Sequence, residues 1–536
     1  MPPFVHLHVR SHYSPLRSAA RLKDIVKAAA KVGSPAVCVT DVGNLHAAVH
    51  LQRECERAGL RPIFGAELTL SDTGPLVFLA RNARGWESLS DLCSRLRCGV
   101  PVSAEEAGSM QGLAVLTGGA DGDLQCAADR RGRLRWLNER FGHLYAEVAP
   151  TFRWQETAAI AEDLDVPVVA TGDVSYISAE DAPALDILRA IDRGERLDHK
   201  GYLATAPARA GEAWYRPPSA FRMPQAYLDE AADLADSCCH TLTLGKPKLP
   251  KFGDGDSAAL LTRLAEDGLR ERLSNVPPSD HARYWERLRY ELGVILPLDF
   301  AGYFLIVGDM IRWAKSQGIG VGPGRGSAAG SVAVWALGIT DLDPLRYGLF
   351  FERFLNPERA SWPDIDTDIC YKGRARVIEY LRSRYGAESV GGLSTFKFLH
   401  GKTAIKDAGR VFGLSFQRLN NLTADIPGLV EGKAPKVSWI ERENAQVAAA
   451  ALEDGRVAAA LRAAELVEGI VRDTSVHASG IVVADGPLWR TTPTLRDKRG
   501  GLVSQCDMNA AEDAGLVKLD LLGLNNVTQM QEAATA

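Results

Sequence analysis

The stretch Ser361-Trp-Pro-Asp-Ile-Asp-Thr-Asp-Ile-Cys370 places acids at 364, 366 and 368, every second residue, just behind a proline. In an extended strand, side chains at i, i+2 and i+4 share one face. Three carboxylates on one face repel each other unless a cation lies between them. The pattern therefore predicts a strand that carries a cation site. A solvated strand edge is the bland alternative, and it accounts better for a single acid than for three in alternation.

Working outward, GIGVGPGRGSAAGSVAVWALG at 318–338 contains Gly322, Gly324, Gly326 and Ser327, followed by a helix-compatible run. Glycines permit close backbone approach, and a helix beginning at Ser327 would offer free N–H groups to an anion. No lysine follows the last glycine, so this is not a Walker loop, and a tight structural turn would explain the glycines alone. Arg353 and Arg359 lie between this loop and the acids. Far downstream, Lys518-Leu-Asp520 repeats the strand-borne acid, with a lysine two residues earlier on the same face. Two-metal phosphoryl transfer needs carboxylates that bridge two Mg²⁺, cations for the triphosphate and backbone donors near it. These residues supply each part.

The remaining chain bounds the answer. Its 536 residues imply roughly three or four domains, and 46% hydrophobic with 24% charged residues is a globular composition. No apolar run reaches the length of a membrane span and the N-terminus lacks a signal-peptide pattern, so the expectation is a cytoplasmic chain with no membrane partner. The nine cysteines are scattered without zinc-finger spacing and read as reduced thiols, mostly buried. A net charge of -5 argues against coating nucleic acid by bulk charge, but leaves room for a local basic groove.

From residue 4 to about 82, strands and helices alternate: FVHLHV, LKDIVKAAAKVG, PAVCVTD, NLHAAVHLQRECERAG, RPIFGAELTL and LVFLARN. Repeated βα units with polar residues at strand ends predict a barrel-like α/β domain closing near residue 210. Helices follow at 257–273, 281–296 and 304–318, and again from about 377 to 470. Strands return at 479–485 and 515–524. In HGKTAIKDAGRVFG, Lys402, Lys406 and Arg410 fall at i, i+4 and i+8, a basic stripe that either tracks a DNA backbone or is a solvated helix face.

GVGPGRGSAAGS, ITDLDPLRYGLFFERFLNPER, PDIDTD and GLVKLDLLGL resemble the palm motifs of bacterial C-family replicative DNA polymerases, the family of the DNA polymerase III alpha subunit. The resemblance runs through essentially the whole chain in the family's order. It implies a distorted β/α barrel at 1–210 and a helical connector leading into the palm at 211–315. It further implies a nucleotidyltransferase-type palm, like that of polymerase beta, at 316–396 and 476–536, around a helical thumb at 397–475. Asp364 and Asp366 match the first two catalytic aspartates, Asp520 the third, and all three would hold two Mg²⁺. Gly326 and Ser327 match the phosphate-binding turn, and Arg353 and Lys518 match basic residues near the incoming triphosphate. Asp368 matches a supporting acid. The stripe Lys402, Lys406 and Arg410 lies where the family joins palm to thumb, which favours DNA. His477, in SVHASGIVV, also matches a family motif, and a packed histidine explains it equally well.

In this family the N-terminal domain is of the PHP (polymerase and histidinol phosphatase) type, whose intact form binds three metals and can act as a 3′–5′ exonuclease. His6, His8, Asp41, Glu67 and Asp173 stand at matching strand positions. The pattern is broken elsewhere. Thr40-Asp41-Val42-Gly43 and Asp173-Val174-Ser175 each lack a histidine that the family usually has. His12 stands where an acid is usual, and Gly119 where a cysteine is common. The resemblance thus implies a degenerate exonuclease module with at most a weak metal at His6, His8, Glu67 and Asp173. The leading expectation is a DNA-directed DNA polymerase acting on primer–template DNA and deoxynucleoside triphosphates, beside other replicase subunits. Two alternatives stay open: a chain that ends before the fingers and serves as a scaffold or needs a partner chain, and a PHP-type phosphoesterase or exonuclease.

Overall fold

Leu22–Lys31 and Ala48–Ala58 are helices whose buried residues recur every three or four positions, and Gly33 and Gly59 end them in the left-handed region, at φ 73° and 67°. Between and after them come β1 (Ala36–Val42), β2 (Arg61–Thr69), β3 (Pro75–Ala80), β4 (Leu113–Leu116), β5 (Leu144–Val148) and β6 (Val168–Ala170). A computed structural model describes residues 4–150, 154–200, 214–246, 248–250, 252–253, 255–356 and 363–536 of the chain. The expected domain limit near 210 and Arg359 fall outside the described residues.

The six strands form one curled sheet in the order β1-β2-β3-β4-β5-β6. β1 and β2 are parallel, β2-β3 and β3-β4 antiparallel, and β4-β5 and β5-β6 parallel. The predicted strand FVHLHV is not a ladder strand. It is an extended segment tied by single bonds at its end: Thr40 N donates to Val9 O (2.8 Å), Arg10 N to Val174 O (2.9 Å) and Val174 N to His8 O (3.0 Å). It thus bridges β1 and the segment following β6, closing the seam of the half-barrel. Leu7 and Val9 point into its core, and both are fully buried.

The described chain divides into two compact units. The first comprises Met1–Leu242, Thr395–Ser475 and Pro493–Leu495; the second comprises Thr243–Ser394, Val476–Thr492 and Arg496–Ala536. The segment expected as a thumb therefore clusters with the N-terminal unit. There it forms helices Gly401–Val411, Phe416–Leu422, Val437–Glu443, Ala445–Glu453 and Gly455–Val467.

In the second unit the predicted helices appear at Ser257–Leu273, His281–Ile295 and Ala301–Ser316. A second six-stranded sheet, of which β7, β11 and β12 lie wholly in this unit, runs β10-β11-β8-β9-β12-β7. Its strands are β7 (Asp366–Cys370), β8 (Val390–Phe398), β9 (Val471–Val483), β10 (Thr494–Arg496), β11 (Leu502–Ser504) and β12 (Val517–Leu524). Tyr303, Phe304 and Phe351 are the largest side chains sealed in this unit's core.

One expectation is corrected here. No α-helix begins at Ser327: residues Ser327–Gly330 form a single 3₁₀ turn, and the helix that follows is only Val332–Ala336, capped by Ser331. Its free N–H groups are already taken. The buried Glu291 carboxylate accepts from Ser331 Oγ (2.6 Å), Val332 N (2.9 Å) and Ala333 N (2.9 Å). An internal anion thus fills the helix end that sequence reasoning had kept for a phosphate. Among the described residues no helix is long and apolar enough to cross a membrane. Six of the nine cysteines are buried.

Candidate active site

β7 and β12 are parallel neighbours, and their register sets Asp366 directly opposite Asp520. Asp364 lies two residues before β7 on the face shared by 366 and 368, while Ile365, Thr367 and Ile369 turn inward. Carboxylate oxygens of Asp364, Asp366 and Asp520 come within 4.8 Å of one another, and among the described residues no other group of metal-ligating side chains gathers in this way. The spacing suits a shared cation, and the donors are hard oxygens of the kind that Mg²⁺ prefers. Asp368 shares the strand but stands outside that group.

The glycine-rich loop is clipped to the same strand. Gly322 N donates to Asp368 O and Cys370 N to Gly320 O, both at 2.8 Å. Gly324 and Gly326 have φ of 113° and 68°; a Cβ at 324 would lie 2.6 Å from Thr340, and one at 326 would lie 3.3 Å from the Asp366 carboxylate. Gly326 thus lets the loop pass close to Asp366, and Gly324 lets it pass close to Thr340. From beneath, the buried Tyr303 hydroxyl accepts from Ile365 N at 3.1 Å and anchors the segment that carries Asp364.

Two cations face the acids. Lys518 Nζ lies 2.7 Å from Asp520 and 3.7 Å from Asp364, and it also donates to Met508 Sδ at 3.2 Å. Arg325 Nη2 pairs with Asp366 at 2.9 Å, and its Nε lies 3.4 Å from Asp368 Oδ1 without hydrogen-bond geometry. Burial raises the Asp364 carboxyl above its usual range; Lys518 opposes the rise, and the Asp520 and Asp366 charges add to it. Asp368 is raised too, by burial against the pull of Arg325. Ser479 Oγ donates to Asp520 Oδ1 at 3.1 Å and fixes the carboxylate from β9. His477, whose role sequence left open, lies on the same strand and accepts from Gly480 N at 2.9 Å, next to Ser479.

The other predicted residues are placed as follows. Gly326 and Ser327 form the start of the 3₁₀ turn, next to Asp366. Arg353 is exposed on the turn Phe351–Arg353. Lys402, Lys406 and Arg410 lie along helix Gly401–Val411 in the first unit, and two of them have internal partners. Lys406 Nζ donates to Asn420 Oδ1 at 2.7 Å, and Arg410 pairs with Asp407, as does Arg472. Arg325 and Ser479 were missed from the sequence. Arg325 had a signal, as the one charged residue inside the glycine motif.

Two family models match in succession: the PHP domain over residues 6–155, and the bacterial DNA polymerase III alpha NTPase domain over 259–523, the span that holds every acid of the cluster. DNA polymerase III subunit alpha of Caulobacter vibrioides is 37% identical over 99% of this chain. The same subunit of Pseudomonas fluorescens is 36% identical and that of Escherichia coli 35% identical, each over 98% of the chain. The chain belongs to the DNA polymerase III alpha family. It spans about half the length of these curated relatives: 49%, 48% and 48% of them, respectively.

The PHP domain of this family member has a second polar centre, and its ligands are otherwise engaged. His8 is held by two carboxylates, with Nδ1 2.8 Å from Glu147 and Nε2 3.0 Å from Glu67. Arg10 reaches Glu67 through Nε (2.8 Å) and Nη2 (2.6 Å), and Asp173 through Nη1 (2.6 Å). Burial opposes charge on His8, but Glu147 and Asp173 beside it prevail over Arg10 and raise its pKa to about 10. Burial likewise disfavours charge on Glu67, yet Arg10 and His8 bring it down to about 2; Arg10 and His8 also hold Asp173 well below its usual range.

His6 turns away from this centre. Its Nε2 lies 2.8 Å from Arg216 O, and burial lowers its pKa to about 4. Asp41 accepts from Ser11 N, Ser11 Oγ and Ser14 Oγ. A Cβ on Gly119 would lie 2.2 Å from Asp173 Oδ2, so the cysteine common in the family has no room here. Of the four residues expected to hold a weak metal, His6 thus stands apart from His8, Glu67 and Asp173, and the Arg10 guanidinium already pairs with Glu67 and Asp173. Arg10 and Glu147 were not foreseen, although each left a trace. Arg10 continues the alternation His6, His8, and Glu147 is a lone acid in the apolar strand LYAEV.

Proposed function

We propose that the chain carries the nucleotidyl-transfer centre of a template-directed DNA polymerase, with primer–template DNA and deoxynucleoside triphosphates as substrates and other replicase subunits as partners. The observation that carries this reading is the convergence of Asp364, Asp366 and Asp520 beside a glycine loop clipped to their strand. These three carboxylates would hold two Mg²⁺; when bound, such ions supply Lewis-acid activation of the attacking hydroxyl and charge stabilisation of the leaving oxygens. In the reaction, the primer 3′-oxygen forms a bond to the α-phosphorus. The bond from that phosphorus to pyrophosphate breaks, and the hydroxyl proton passes to solvent.

The chain's own residues have separate tasks. Lys518 offsets the charge of Asp364 and Asp520; burial works to lower its pKa, but the Asp520 carboxylate beside it prevails and raises it. Gly326 and Ser327 present backbone N–H groups and a hydroxyl to phosphate oxygens. Arg353 offers an exposed guanidinium to the triphosphate, and Lys402, on the stripe with Lys406 and Arg410, a charge for the DNA backbone. Residues 316–396 and 476–536 act as palm, 397–475 as thumb and 211–315 as connector. The barrel at 1–210 serves as structure and not as an exonuclease, because Arg10 and His8 stand where metals would act.

Primer extension by the purified chain with Mg²⁺, beside Asp366→Ala, tests the reading. Extension by wild type that falls at least about a thousandfold in the variant is expected, since an electrostatic anchor of the transition state is removed. No extension by either protein would leave the scaffold reading; equal extension by both would move the chemistry away from these acids.

A further inference from the structure

The geometry points to a role for Arg325 that the reading above does not assign. We propose that Arg325 is an exchangeable counter-cation of the acid cluster, displaced when divalent metal binds and then taken up by the nucleotide's polyphosphate. This rests on the proposed polymerase centre and deepens it.

Both resident cations pair with acids of the cluster, but they are held very differently. Lys518 is 12% exposed, sits on β12, bonds Asp520 at 2.7 Å and has Met508 Sδ as a second acceptor. Arg325 is 48% exposed, makes one hydrogen-bonded contact, to Asp366, and only grazes Asp368. Exposed pairs of that kind contribute little and are broken easily. Flanked by Gly324 and Gly326, Arg325 also has no neighbouring Cβ to block a swing of its side chain.

Asp366 is the shared element. Its carboxylate belongs to the three-acid cluster and also holds Arg325. A divalent ion at that carboxylate would sit within a few ångströms of the guanidinium, and like charges at such range repel strongly. Lys518 is restrained by its strand and its sulfur contact, so Arg325 is the cation that yields. A guanidinium released beside Ser327, where the phosphate-binding turn starts, meets an anion it is shaped to grip, because its planar fork matches phosphate oxygens in pairs.

Mn²⁺ binding to the full chain, followed by electron paramagnetic resonance with and without a non-hydrolysable deoxynucleoside triphosphate, tests this for wild type, Arg325→Ala, Arg325→Lys and Asp366→Ala. Without nucleotide, Arg325→Ala is expected to bind Mn²⁺ roughly two- to fivefold more tightly than wild type, the effect of removing one exposed ion-pair competitor. With Mn²⁺ saturating, it should bind the nucleotide about tenfold more weakly, with Arg325→Lys between the two. Unchanged or weaker Mn²⁺ binding by Arg325→Ala overturns the proposal, as does unchanged nucleotide affinity. If Asp366→Ala leaves Mn²⁺ binding intact, the metal-centre reading itself fails; if it abolishes binding while Arg325→Ala changes nothing, only the role of Arg325 is lost.

Discussion

The molecule contains two clusters of carboxylates with two protein cations each, and they differ in almost everything except that inventory. In the barrel, Glu67, Glu147 and Asp173 enclose His8 and Arg10; His8 and Glu147 are sealed from solvent, and Arg10 is 13% exposed. In the second unit, Asp364, Asp366, Asp368 and Asp520 face Lys518 and Arg325, with Asp364 62% exposed and Arg325 48% exposed. Buried charges are held by the bonds they make, and although Glu147 Oε2 has no hydrogen-bond partner, a metal in the barrel cluster would have to replace several bonds of His8 and Arg10 at once. The open cluster keeps acceptor positions that water, and hence a metal, can reach. Acid content alone does not make a cation site; access and the number of bonds already made decide it.

The comparison breaks most clearly if Arg10 is removed. Arg10→Met should destabilise the first unit by about 3–5 kcal/mol, because Glu67 and Asp173 would remain buried without their partner. Arg325→Met should change stability by less than about 1 kcal/mol. Chemical denaturation of both variants measures the two effects, and similar losses would show that the clusters are not held differently.

A pH series probes the same contrast, with a smaller effect per pH unit. The His8 pKa is raised to about 10 in the fold from an ordinary value near 6.5, so the folded chain keeps a proton that the unfolded chain releases. Stability from this group is full below pH 6.5 and is lost as pH rises towards 10, on the order of 1 kcal/mol per pH unit. His8→Gln should flatten that alkaline slope. An unaltered slope would mean that His8 is neutral between its carboxylates.

Metal titration sharpens the contrast further. Glu67→Gln, in the barrel cluster, is expected to leave Mn²⁺ binding by the chain unchanged if, as proposed, the ions bind in the open cluster. Ser479→Ala should weaken that binding by only about two- to fivefold, the effect of one lost hydrogen bond on Asp520. A loss with Glu67→Gln larger than that with Ser479→Ala would reverse the assignment of the two sites.

Much of the second unit was legible from local pattern. The helices at Ser257–Leu273, His281–Ile295 and Ala301–Ser316 follow apolar periodicity, and the strand acids at 366, 368 and 520 follow alternation. Less legible was anything that depends on a partner distant in sequence. Glu291 takes the helix end expected for phosphate from 40 residues upstream of Ser331. Arg10 meets Asp173 across 163 residues, and Glu147 meets His8 across 139.

By itself, then, the sequence determined which residues could do chemistry: alternating acids, a glycine loop, and a family pattern with missing histidines. Tertiary structure alone decided which of them remain free to do it. The β7–β12 register brings Asp520 to Asp366, and the closure of the half-barrel seam brings Arg10 onto Glu67 and Asp173. The reason is physical: a side chain's type is set locally, but its charge, its solvent access and its bonding partners are set by whatever the fold places within a few ångströms of it.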